Sequence, residues 1–478
     1  MTRADTSTAS AVGSHVRTTP GAAIIVSVVL VELTSGITQG FLSPVLRSLT
    51  EVLHVTAADL NWISIANLLA SVAFTPVLSR MGDLYGHRRI LRWNLAIVLL
   101  GSLLVGTAQS FGVLLLGQVL QGAFAGFFPL LVGILRNRSG DAESRRGIGF
   151  MVAALLSGIG VGMVASGFVA QHVDAPTAAL WVPAVAVSLV LLATWPLLPE
   201  SEHRPGGHLD LRGGLLLCVG LVAVLLGLGQ GGMPGWEWTS ARTVGCLAGG
   251  VLVVALWTWV ELRSDAPMID VRLFRHRNVT VVSLVAVTFS FCLIGLQVAN
   301  AIFLATPREQ FGYGLGLAPL HIAFAMLPSM AAVAIAAVCA PTLAERIGDR
   351  ATLVLGSLIM AAGYLGNLAF HSSLAPYLLV GVVSSVGAGL LQQSTRSLAV
   401  ESVPHDQAAV GSGINELLIN IGGSLGAACV LSFTAAATPA GSPLPTFSAY
   451  AAIWTTTTLV SMAGAGAALF LRRTAISA

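Results

Sequence analysis

The chain contains no lysine: all 24 of its basic residues are arginine. Charge of either sign is scarce, 9% of 478 residues, against 55% apolar residues. A soluble domain covers its surface with far more charge, so a water-soluble globule is excluded. Cys218, Cys246, Cys292, Cys339 and Cys429 stand alone inside apolar runs. That spacing excludes a zinc site or a disulfide framework and leaves small packing residues. No Walker loop, HExxH or Gly-x-Ser-x-Gly pattern occurs, so neither ATP driving nor enzyme chemistry is indicated. The 10 histidines fall in loops or near the ends of apolar runs, which suits solvation better than metal binding. No metal, cofactor or nucleic-acid partner is expected, because the net charge of +3 sits in short loops. Alternating strand patterns are absent, which argues against a membrane barrel.

What the chain does have is long apolar runs, many about 20 residues long, enough for a bilayer core of about 30 Å. Backbone polar groups in lipid must be satisfied internally, so these runs are helices. They fall near 21–42, 60–79, 93–109, 112–134, 148–171 and 179–198, then 213–229 and 243–260, then 278–304, 318–341, 351–370, 375–397, 411–435 and 447–471. The expectation is an all-α membrane protein of 14 spans: a polar disordered tail at 1–20, a six-span bundle at 21–200, a linker with two extra spans at 201–277, and a second six-span bundle at 278–478. An even count puts both termini on one side. That side holds 21 arginines, among them Arg80, Arg136, Arg145 and Arg272, while the other holds Arg47, Arg242 and Arg308. The positive-inside rule makes the arginine-rich side cytoplasmic.

Two echoes suggest a duplicated half. Arg80-Met81-Gly82-Asp83 follows the second span of the first group, and Arg346-Ile347-Gly348-Asp349 the second span of the last group. Gly158, Gly162 and Ser166 share a face of span 5, as Gly422 and Gly426 do in span 11. Small residues let helix backbones approach closely. Parallel six-span repeats are a transporter architecture.

Two acids fall inside spans, Glu32 in span 1 and Glu416 in span 11. A charge at the bilayer centre costs about 2.5–3.5 kcal/mol on insertion scales, so such groups default to function. A carboxyl so placed alternates between protonated and ionised forms, carrying a proton or meeting a cationic substrate. The alternative for Glu32 is a structural hydrogen bond, for example to Thr34. Glu416 pairs, on this reading, with Arg396 near the cytoplasmic end of span 10, as part of an inner gate. Gln118, Gln121, Gln297, Asn300, Gln392 and Gln393 are candidate cavity residues, each equally able to bond another helix. Phe124, Phe127, Phe128, Phe289 and Phe291 offer an aromatic wall.

Ser79-Arg80-Met81-Gly82-Asp83-Leu84-Tyr85-Gly86-His87-Arg88-Arg89 resembles the loop signature of the major facilitator superfamily. Fourteen spans with two inserted between halves look like its drug:proton antiporter branch. Val31-Glu32-Leu33-Thr34, Gln118-Val119-Leu120-Gln121-Gly122, Leu209-Asp210-Leu211-Arg212-Gly213 and the stretch from Ser412 to Gly426 are similar to further motifs of that branch. Gln118 stands where the branch has an arginine, and Gly162-Met163-Val164-Ala165-Ser166-Gly167 lacks the proline of its span 5 motif. The resemblance implies two rocking six-helix bundles with a midplane cavity. It implies export of amphiphilic or cationic organic compounds, drugs or natural products, against protons, by a monomer in a bacterial cytoplasmic membrane. Proton coupling then rests on Glu32 with Glu416. Asp83 and Gly86 would belong to a gating latch, Asp83 accepting from a helix N-terminus, with Arg88 and Arg89 clamping acids or lipid phosphates. Rival expectations are a proton-independent facilitator or importer of a small solute, and a non-transporting sensor or scaffold.

Overall fold

A computed structural model describes residues 21–42, 57–138, 140–173, 177–195, 209–231, 235–264, 267–269, 271–404, 407–439, 442 and 444–472. The tail expected at 1–20 lies outside the described residues. Their regular elements are helices: α1 (Gly21–Gly40), α2 (Ala57–Tyr85), α3 (His87–Gly106), α4 (Phe111–Gln121), α5 (Phe127–Arg138), α6 (Asp141–His172) and α7 (Val182–Thr194). α8 (Leu211–Gln230) and α9 (Ala241–Glu261) follow. The last group is α10 (Arg277–Leu293), α11 (Gln297–Ala305), α12 (Pro319–Ile347), α13 (Asp349–Ala369), α14 (Leu374–Glu401), α15 (Ala408–Ala436) and α16 (Phe447–Ala468).

Ten helical stretches are long and apolar enough to cross a membrane, and Ile24–Gly40, Ala178–Thr194 and Arg277–Leu293 are apolar but shorter. Two of the runs are not single α-helices. A 3₁₀ turn at Gly122–Gly126 joins α4 to α5, and a turn at 294–296 separates α10 from α11. α16 has 22 residues, and its run Thr455 to Thr458 dilutes its hydropathy.

The break glycines set the register of the two halves. Gly86 (φ 100°) separates α2 from α3, and Gly348 (φ 89°) separates α12 from α13. Such φ values strain any residue with a Cβ, so glycine marks the corner in each half. Matching Gly86 to Gly348 places Glu345 opposite Asp83 and Asp349 opposite His87. The tetrapeptide echo in the sequence matches Gly82 to Gly348 and is therefore displaced by four residues, about one helical turn.

Each half also fastens its first span to its fifth through small residues. A methyl on Gly158 of α6 would overlap the Leu33 carbonyl oxygen of α1, and one on Gly426 of α15 would overlap the Phe291 carbonyl of α10. Backbones this close gain dispersion contacts that lipid cannot supply.

The extra helices are unequal. Only 17% of an 18-residue stretch of α9 is buried, against 83% of one within Phe111–Asn137, so α9 is peripheral. α8 lies at the seam: Leu217, Leu221 and Leu225 join Val72 of α2 and Ile414 and Leu417 of α15 in one apolar cluster. Cys218 Sγ donates to the Ala73 carbonyl at 3.3 Å. The turn after α9 is tied by another buried acid. Glu261 accepts from Trp257 Nε1 at 3.0 Å and from the Met268 amide at 3.1 and 3.2 Å. The sequence reading placed two acids, Glu32 and Glu416, inside spans; Glu261 closes its helix instead, and its burial comes with its bonds to Trp257 and Met268.

Candidate functional site

Glu32, on α1, is 2% exposed, and its Oε2 has no hydrogen-bond partner among the described residues. The Thr34 hydroxyl donates to its own helix, at the Leu30 carbonyl, rather than to Glu32. Glu416 and Arg396 both lie in the second half, on α15 and α14.

Those two form a bidentate ion pair. Arg396 Nε donates to Glu416 Oε1 at 2.7 Å and Nη2 to Oε2 at 3.0 Å. The turn between α14 and α15 folds the chain back, so residues 396 and 416 face each other. The guanidinium also lies 4.7 Å above the Phe128 ring of α5, a cation–π contact between the halves. Removing charge from water is expensive, and the fork geometry of arginine on a carboxylate recovers much of that cost.

The neutral polar candidates divide. Gln118 is buried with its Nε2 unpartnered, and Gln392 with its Oε1 unpartnered. Gln121 donates to Ser102 of α3 at 3.0 Å, so it braces α4 against a neighbour. Gln393 donates to the Arg145 carbonyl at 3.1 Å and to Ser397 at 2.9 Å, so it belongs to the contact between halves. Both amides thus make helix contacts, the second of the two readings open for them. Asn300 accepts from Tyr377 at 3.3 Å, and Gln297 is exposed. Phe127 and Phe289 are packed in the two bundle cores. Asn415, beside Glu416, is 2% exposed with both amide atoms unpartnered.

At the arginine-rich end the halves are stitched together. Asp83 accepts from the Ala409 amide at 3.2 Å and the Val410 amide at 3.0 Å, the first turn of α15. Helix-terminal amides with no partner in their own helix, together with the helix dipole, make this an anion seat. His87 Nε2 lies 2.9 Å from Asp83 Oδ1. Gly86 supplies the corner, Arg88 donates to the Trp195 carbonyl after α7 at 3.3 Å, and Arg89 is exposed.

Sequence reasoning missed the other clasp. Arg145, in the first turns of α6, donates to both oxygens of Asp349 at 2.6 and 3.2 Å and also to Glu401. Arg136 donates to the Val400 carbonyl. The signal was present as basic residues at two span ends and acids at two others, but nothing in the spacing says which meet. Among the described residues no group of three or more His, Cys, Asp or Glu could hold a metal ion.

The family model described as Major Facilitator Superfamily matches residues 28–427. The Tetracenomycin C resistance and export protein of Streptomyces glaucescens is 26% identical over 411 residues, 85% of this chain and 74% of that protein. The multidrug resistance protein Stp of Mycobacterium tuberculosis is 28% identical over 388 residues, 79% of this chain and 69% of that protein. The crystal structure of the human organic anion transporter MFSD10 matches with a TM-score of 0.68 at 16% identity, over 94% of this chain and 99% of that one, a likeness of fold. With the family matched across most of its length and its helices able to cross a membrane, this chain is a multi-pass transporter of the major facilitator superfamily.

Proposed function

We propose that this transporter exports amphiphilic or cationic organic compounds, drugs or natural products, in exchange for protons, with Glu32 as the exchanging group. Relatives named for antibiotic export and multidrug resistance support the substrate class. The observation that carries the reading is Glu32 itself: a carboxyl 2% exposed with one oxygen unpartnered among the described residues. Intramembrane acids in such positions mark ion and substrate paths. Counting the three shorter apolar helices and α16 with the ten longer stretches makes fourteen spans. Both termini are then cytoplasmic, in a bacterial cytoplasmic membrane, in a monomer with bundles at 21–200 and 278–478.

In this reading the clasps of Asp83 and Arg145 close the cytoplasmic end, and the central site communicates with the outside. Glu32 takes a proton there and releases the compound. Opening of the clasps exposes the site to the cytoplasm, the proton leaves, and the ionised carboxylate draws in the next compound. The test is ethidium efflux from pump-deficient bacteria expressing wild type or Glu32→Gln, with and without a protonophore. Efflux should need both the acid and the proton gradient. Efflux indifferent to both would overturn the reading.

A further inference from the structure

We propose that Glu401 is a proton sensor on the cytoplasmic face: a proton taken up inside the Arg145 clasp holds the two halves shut there, so that an acid cytoplasm slows the transporter. This rests on the reading above that the clasps close the cytoplasmic end, and adds a regulation of that closure.

The geometry is one cation divided between two acids. Arg145 Nη1 donates to Asp349 Oδ1 at 2.6 Å, and Nη2 donates both to Asp349 Oδ2 at 3.2 Å and to Glu401 Oε2. The shared nitrogen brings the two carboxylates side by side, where like charges repel. Asp349 holds Arg145 through two bonds of its own, so the guanidinium still joins α6 to α13 when Glu401 is neutral. A proton on Glu401 therefore removes a repulsion from the closed clasp without untying the halves. The Glu401 and Asp349 side chains are each 23% exposed, withdrawn from most of the water yet within reach of cytoplasmic protons.

Glu401 ends a helix of 28 residues, about 42 Å long, which outruns a bilayer core of about 30 Å. It lies past the apolar run 375–397, at the arginine-rich surface. Burial pushes its carboxyl above the ordinary carboxylate range; Arg145 draws it back only in part, and Asp349 adds to the rise. The remaining charges do not replace Arg145. Arg136 of α5 donates to the Val400 carbonyl, and Arg146 lies 3.7 Å from Glu345 of α12 at the outer rim. Glu143, Arg346 and Arg350 are exposed. His405 and Asp406, ahead of α15, lie outside the described residues. When the halves part, Glu401 returns to water and to the ordinary range. Closing thus takes up a proton and opening releases it. Acid favours the closed end and alkali the open one, across the interval between the ordinary carboxylate range and the raised one. An exporter that admits protons as it works is thereby slowed as those protons accumulate.

The test uses the full chain with spin labels at exposed positions 85 and 347, on opposite halves, in a Glu32→Gln background that takes the acid of the first span out of the titration. Pulsed dipolar distances are read from about pH 8 to about pH 5. The closed-to-open ratio should rise by roughly threefold or more, and by no more than about tenfold per pH unit, the limit for one proton. Glu401→Gln, a neutral stand-in for the protonated acid, should abolish the response and hold the acid-side distribution at every pH. Asp349→Asn removes the competing carboxylate, so the response should move to lower pH. Thermal midpoints check folding, and if Glu401→Gln does not fold, Asp349→Asn decides. A flat distribution, or opening in acid, overturns the proposal. So does a response that survives in folded Glu401→Gln, which would assign the proton to another group, such as His87 beside Asp83. In everted vesicles, whose outer medium meets the cytoplasmic face, ethidium uptake at a fixed pH difference should slow as the outer pH falls, and Glu401→Gln should flatten that dependence. Uptake by wild type that ignores the outer pH also overturns the sensor. No uptake at any pH overturns the export reading instead, and the distances still decide on Glu401.

Discussion

Replacing Asp83 by alanine should open the arginine-rich end. Its carboxylate, 3% exposed, accepts two amide hydrogen bonds at 3.0 and 3.2 Å from the first turn of α15. Hydrogen bonds to a charged group contribute about 1.5–3 kcal/mol each, so two at the lower bound sum to about 3 kcal/mol. Each 1.4 kcal/mol is a factor of ten, so the closed-to-open ratio should fall roughly 150-fold. Asp83→Asn keeps one acceptor oxygen and should give an intermediate shift. Spin labels at positions 85 and 347, both exposed and on opposite halves, would report the separation by pulsed dipolar spectroscopy in a background without the five native cysteines. The expected result is a growing long-distance population from wild type through Asp83→Asn to Asp83→Ala. An unchanged distribution in a folded Asp83→Ala protein would refute the idea that this carboxylate holds the halves together.

Other perturbations address the remaining contacts. Arg145→Gln leaves the Asp349 and Glu401 carboxylates facing one another without their shared cation, and should shift the same spin-label distances toward opening; no shift would remove Arg145 from the clasp. Gly158→Val drives a branched side chain into the Leu33 carbonyl and should cost about 1–3 kcal/mol or more by overpacking, read as a lower thermal midpoint in detergent. Glu261→Ala leaves the Met268 amide and Trp257 Nε1 unpaired and should destabilise by about 1–3 kcal/mol per group, with ethidium efflux per folded molecule retained. Loss of efflux without loss of stability would assign the linker a part in transport.

Charge in an apolar run is the strongest signal such a sequence carries, and Glu32, Glu416 and Arg396 were legible for that reason. The Arg396–Glu416 partnership followed from their positions on either side of one turn. Asp83 and Gly86 were legible through the resemblance of the stretch from Ser79 to Arg89 to the superfamily's loop signature. The helix contacts of Gln121 and Gln393 were not legible, because an amide suits a cavity and a helix contact equally well. The repeat was visible, but its register was not. Three matching letters in four outweighed the positive-φ corner, which only the backbone reveals at Gly86 and Gly348. Arg145 with Asp349 and Glu401 joins residues more than 200 positions apart, and no local pattern encodes such a meeting.

The central claim, that a cation and a proton exchange at Glu32, is tested most directly by following protons and cation together. Liposomes holding the transporter and a pH-sensitive dye would receive ethidium outside, with no potential or pH gradient imposed. The account predicts that ethidium entry alkalinises the interior at wild type and that Glu32→Gln abolishes both movements. Ethidium entry at wild type with no change in internal pH would contradict it.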